Sequence, residues 1–161
     1  MVLLLLIPVG LITAFGLAGY GFGGLGRVGV RGAGREMWLR CLGSLLGAGA
    51  VAVYTWGLLL LAGAVLEAED GGTDSAPLRP CRTPGQWERA LHVIDYDVDY
   101  VPLRFVCETT GGGSFAADAV PGYVNPVVVG FALGAVVCAG VAAVTGEMSQ
   151  RRVGSGEKPG A

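Results

Sequence analysis

Three stretches of this 161-residue chain contain no Asp, Glu, Lys, Arg or His: residues 1–26, 41–66 and about 127–146. A helix needs about 20 predominantly apolar residues to cross roughly 30 Å of hydrocarbon, and each stretch is long enough. The composition agrees: 52% of residues are hydrophobic and only 15% charged, against about 25% charged in ordinary soluble domains. The sequence therefore predicts an all-α three-helix transmembrane bundle. Its parts are helices over 1–26, 41–66 and 123–146, a basic loop over 27–40, an acidic insert over 67–122 and a disordered tail over 147–161.

Charge is sorted by segment, and this predicts orientation. The loop 27–40 holds Arg27, Arg31, Arg35 and Arg40 against Glu36 alone, while the insert holds four Arg and ten acids. The tail carries Arg151, Arg152 and Lys158 against Glu147 and Glu157. Basic residues near span ends remain cytoplasmic, which puts the loop and the C-terminus inside the plasma membrane, with the insert and the N-terminus outside. Tyr20 and Trp38 at the inner ends and Tyr123 at the outer end read as interfacial anchors. A cleaved leader is the competing reading of the first stretch. However, "VLLLLIPVG" follows Met1 with no basic n-region, and cleavage would leave the arginine loop outside. Ten of the eleven basic residues are Arg, which, with the abundance of Ala, Gly and Val, reads as a GC-rich bacterial coding bias.

Ionisable residues inside spans mark ion, proton or substrate pathways, and their absence weighs against a pump or an intramembrane enzyme. Small residues recur instead at four-residue spacing: Gly10, Ala14 and Ala18; Gly43 and Gly47; Gly130, Gly134, Cys138 and Ala142. Such ridges let helix backbones approach closely. In so glycine-rich a chain any one ridge arises readily by chance, but three together favour a compact bundle. Whether they pack within the chain, against a second copy or against another membrane protein stays open. Cys41 and Cys138 read as buried, inert thiols. "GYGFGG" satisfies G-x-G-x-x-G but lacks the preceding strand that a dinucleotide site requires, and it is discarded. No cofactor is expected, and four arginines beside a membrane give no nucleic-acid footprint; the lipid bilayer is the expected partner.

Within the insert, Thr83 reads as an N-cap, Pro84 as the first helical residue and Gln86 as the capping-box partner. Trp87, Leu91 and Ile94 would form that helix's apolar face. "VIDYDVDYV" alternates as a half-buried strand does, and Pro102 suits an edge or bulge. "LRFVCETT" and "SFAADAV" read as two strands around a glycine turn. Cys81 and Cys107 are the only cysteines outside the spans, and a disulfide between them is predicted, since a core from about 50 residues needs such support. Asn125 and Pro126 read as the N-cap and first residue of the third helix.

Asp95, Asp97 and Asp99 invite a calcium reading, but the EF-hand glycine and glutamate positions hold Tyr100 and Val106. A strand also spaces alternate residues by about 7 Å. A solvated acidic face is the better reading, and Asp95, Tyr96, Asp97, Asp99 and Tyr100 become the candidate recognition surface. His92, the single histidine, reads as a surface residue, and no catalytic triad assembles around it.

The run "YVPLRFVCETTGGGSFAADAVPGYVNP", with Cys81 and Cys107, resembles small multi-pass membrane proteins of actinobacteria. That resemblance implies location and topology and brings no activity with it. The sequence thus predicts a non-enzymatic plasma-membrane protein, an accessory or interaction subunit presenting a disulfide-stapled α+β insert. An oligomeric transport or channel component, and a cation-dependent envelope enzyme using the Asp95–Asp99 face, remain as alternatives.

Overall fold

The computed structural model describes residues 2–28, 34–70, 77–85 and 87–156, and the side chains at 28 and 149–156 are set aside. Part of the basic loop (29–33), the exit from the second helix (71–76), Gln86 and the end of the tail (157–161) lie outside the described residues. The order is α1 (Val2–Val28), α2 (Arg35–Glu69), a 3-10 turn (Arg79–Cys81), α3 (Trp87–Ala90), β1 (Val93–Tyr100), β2 (Leu103–Thr109), β3 (Ser114–Ala117) and α4 (Val124–Gly156). Three helices are long and apolar enough to cross a membrane, and the strands form one antiparallel sheet between α2 and α4. This is the fold class that the sequence predicts. By contact the chain divides into two compact units, Met1–Gly10 with Val53–Val127 and Leu11–Ala52 with Val128–Ala161.

In the second unit small residues bring the helices together. A Cβ at Gly43 would stand 3.1 Å from Cys138 Cβ and 3.4 Å from the Ala135 carbonyl; one at Gly134 would stand 3.1 Å from Leu46 Cδ1. Gly47 faces Leu17 and Ala135, Ala142 is buried, and Ala14, Ala18 and Cys138 are half-buried. Gly130 has nothing near it and faces away from the helix contact. Two glycines of the discarded "GYGFGG" run also serve packing. A Cβ at Gly21 would meet Leu45 at 2.8 Å, and one at Gly24 would meet the Cys41 sulfur at 2.8 Å. Ser44 Oγ donates to the Leu17 carbonyl at 2.6 Å, so one polar contact accompanies the van der Waals packing on which helix association in lipid depends. Facing outward are Leu11, Ile12, Phe15, Phe22, Leu133, Val136 and Val137, an apolar coat suited to hydrocarbon.

In the first unit the last turns of α2 behave differently. Leu58, Leu61, Ala64 and Ala68 are buried along one stripe. Leu103, Phe105 and Cys107 of β2, with Phe115 and Ala117 of β3, are the sheet's buried residues. Helix and sheet meet at Gly57, where a Cβ would stand 2.7 Å from Leu103 Cδ1 and 3.0 Å from Val124 Cγ1. Nearby Gly10 of α1 leaves room for Thr55, whose hydroxyl a Cβ at Gly10 would overlap. The Cys81–Cys107 disulfide forms as predicted and ties the 3-10 turn to β2.

Four sequence expectations change. Asn125 is not an N-cap: α4 begins at Val124, and the Asn125 side chain accepts from Leu103 N at 3.0 Å and donates to Leu103 O at 3.1 Å. It clamps the first residue of β2. Thr83 is not an N-cap either, because Gly85 takes φ +83°, which no right-handed helix accommodates, and α3 starts only at Trp87. Trp87, Leu91 and Ile94 are exposed, and the residue that α3 buries is Ala90. Pro102 lies outside the strands, in the two-residue link from β1 to β2, after a cis peptide bond. Beyond these, α4 continues through Gly156 rather than ending near Gly146.

Replacing Asn125 with Ala strands both Leu103 backbone groups and should cost about 1–3 kcal/mol, read as a lowered unfolding midpoint in detergent micelles. Replacing both disulfide cysteines with Ser, which opens a loop spanning 26 positions, should cost about 3.5 kcal/mol. Wild-type midpoints in either variant would contradict these assignments.

Candidate functional site

The sheet order β1-β2-β3 leaves β1 at an edge, where unpaired N–H and C=O groups invite another strand. The aspartates occupy this edge. Asp95 Oδ1 accepts from Tyr96 N at 2.8 Å, and Asp97 Oδ1 accepts from Val98 N at 2.7 Å. Each carboxylate thus occupies the amide that follows it, and the strand is less open to β-augmentation than its position suggests. Asp95, Asp97 and Asp99 are all exposed.

The two tyrosines of the predicted surface belong to the other face. Tyr96 and Tyr100 are half-buried. Tyr96 stacks on Phe105 with ring centroids 5.1 Å apart, and its hydroxyl donates to Glu69 Oε1 at 2.9 Å. The Tyr100 carbonyl accepts from Tyr54 Oη at 2.9 Å. Strand β1 is therefore pinned to α2 at two points, and its acidic groups are carried on a fixed backbone. The structure brings Asp95, Asp97 and Asp99 to one exposed edge and turns Tyr96 and Tyr100 into its supports.

The residues that the sequence reads as the apolar face of a helix are exposed instead. Trp87, Leu91 and Ile94 are 55%, 58% and 65% exposed. Leu91 N donates to Trp87 O, which sets the two side chains one turn apart. The signal that would have revealed this is the shortness of α3: one turn cannot bury both faces. His92 is exposed, and its Nδ1–H donates to the Glu88 carbonyl at 2.9 Å. At the far end of β2 the glycine turn closes through Gly112 at φ +76°, with Thr109 N and Oγ1 both donating to Gly113 O. Among the described residues, no group of three or more His, Cys, Asp or Glu side chains is placed to hold a metal ion.

Comparison with protein-family models, with curated proteins and with solved structures finds no match.

Burial first, then the hydrogen bond to Glu69 and the charges of Glu69 and Asp95, push the Tyr96 phenol above its ordinary value. A raised value means that the fold favours the protonated phenol. Its contribution to stability is whole below the ordinary value of about 10 and is lost as pH rises through the raised one. In the difference between wild type and Tyr96→Phe, the tyrosinate absorbance should appear above the ordinary range. Glu69→Gln should bring it part of the way down, since burial remains. A titration unmoved by Glu69→Gln would contradict the pairing.

Proposed function

We propose that the chain is a non-enzymatic, multi-pass plasma-membrane protein that presents residues 67–122 outside the cell as a docking module for another protein. The observation that carries this reading is the exposed edge of β1, three carboxylates on a fixed backbone, in an insert that also exposes Trp87, Leu91 and Ile94. Exposed apolar side chains in company with charge suit recognition, and their complement is a segment with basic and apolar side chains. The three helices long and apolar enough to cross a membrane support the same reading.

Placement in the bilayer follows from the aromatics. Trp38 and Trp56 are both exposed on α2, Tyr20 is exposed on α1, and Tyr123 is exposed just before α4. From Trp38 to Trp56 is 18 residues, about 27 Å of helix, close to the roughly 30 Å hydrocarbon thickness. Val2 to Tyr20 is the same length. The bilayer then ends near Trp56 and Tyr123, and Gly57–Glu69 of α2 stands clear of it as the seat for the insert. The excess of arginine in 27–40 and of acid in 67–122 orients the whole with the insert outside.

Two experiments test this. A membrane-impermeant thiol reagent should label Gly111→Cys in intact cells, since Gly111 is exposed in open space, and should label Gly34→Cys only after lysis. The reverse pattern would overturn the orientation. A photo-reactive side chain at Ile94 should give one discrete crosslinked species in cells, lost when Asp95, Asp97 and Asp99 become Asn. A crosslink that is absent or indifferent to those substitutions would overturn the docking role.

A further inference from the structure

A second feature of the insert faces the opposite chemistry. A cleft of about 470 Å³ opens between the outer turns of α2 and the loops of the insert, within the size range of small-molecule sites. Leu59, Leu60, Gly63 and Ala64 make its apolar wall; Glu67, Arg82, Thr83 and Asp118 supply its polar groups. Thr83 Oγ1 is buried, with the residue only 9% exposed, and it has no hydrogen-bond partner among the described residues. A buried hydroxyl is costly to leave unpaired, so a ligand atom that can bond it is favoured here.

We propose that this cleft binds the head group of a glycerophospholipid carrying a phosphate and a primary ammonium, of the phosphatidylethanolamine class. The phosphate is set against Arg82, which offers charge-assisted donors, with the Thr83 hydroxyl as a further donor. The ammonium is set against the carboxylates of Glu67 and Asp118. The glycerol and one acyl chain leave past Leu59 and Leu60, within about one turn of Trp56. The inference rests on the placement of Trp56 at the bilayer surface, which sets the Leu59–Glu67 wall at and just beyond the head-group layer.

Charge selects among lipids. Two carboxylates and one guanidinium leave the cleft net negative, so an anionic glycerol head group meets repulsion where an ammonium meets attraction. A quaternary choline brings no N–H donors for the carboxylates, and its usual recognition is an aromatic cage. Among the described residues, no aromatic side chain lines the cleft.

The test is native mass spectrometry of the delipidated protein in detergent, titrated separately with phosphatidylethanolamine, phosphatidylcholine and phosphatidylglycerol. Phosphatidylethanolamine should bind about tenfold more tightly than either other lipid, the factor expected for one charge-assisted contact. Asp118→Asn and Glu67→Gln should erase that preference. Gly63→Leu, which projects into open space on the cleft wall, should abolish the bound lipid without unfolding the protein. Asp97→Asn, on the β1 edge, should change nothing. Equal binding of the three lipids, or a preference that survives Gly63→Leu, overturns the proposal. Soluble glycerophosphoethanolamine separates the two readings: if it binds and the full lipid does not, the cleft is a soluble-ligand site and the lipid assignment falls. The orientation read from thiol labelling stands or falls independently.

Discussion

A stripe of apolar residues that protein buries on one face of a helix needs a cover, and this constraint organises the insert. Leu58, Leu61, Ala64 and Ala68 form such a stripe on the last turns of α2. Burying a large aliphatic or aromatic side chain is worth about 1.5–3 kcal/mol, and the sheet meets this part of α2 where Leu103 lies against Gly57. The insert is thus a cap built on the end of a helix, which explains how so few residues hold a fold.

Three polar side chains in this unit serve the same attachment. Asn125 at the start of α4 holds both backbone groups of Leu103, Tyr54 holds the Tyr100 carbonyl, and Glu69 holds Tyr96. These contacts fix the strands to helices that emerge on either side of the insert. The disulfide adds a covalent tie from β2 to the turn at Arg79–Cys81. A rigid β1 follows, and with it an acidic edge on which Asp95 and Asp97 occupy the amides of Tyr96 and Val98.

The spans were legible because lipid demands long uncharged helices and tolerates little else. The disulfide was legible because only two cysteines lie outside the spans, and β1 because its alternation is strict. What the sequence hid depended on tertiary partners. Asn125 reads as a helix cap by its position, yet the carbonyl and amide it serves belong to Leu103, 22 positions away. Thr83 and Pro84 form a sound helix start locally, but Gly85 in a left-handed conformation stops it. Trp56 sits inside an uncharged run, so neither it nor Gly57 marks where α2 meets the sheet until Leu103 and Val124 are in place. Trp87, Leu91 and Ile94 have helical spacing and apolar character, and only the single-turn length of α3 shows that they stay outside. Gly21 and Gly24 fell in a motif set aside as a cofactor site, and their use in helix packing needed the neighbouring Leu45 and Cys41 to be seen.

The seat at Gly57 can be tested directly. Gly57→Leu would drive a side chain into Leu103 and Val124, so hydrogen exchange of this variant, reconstituted in a lipid bilayer, reads whether the sheet depends on α2. The account predicts that amides of β2 and β3 lose protection while those of α2 between Cys41 and Ala52 keep it. Undiminished protection across β2 and β3 would show that the insert folds without its seat, and would contradict the account.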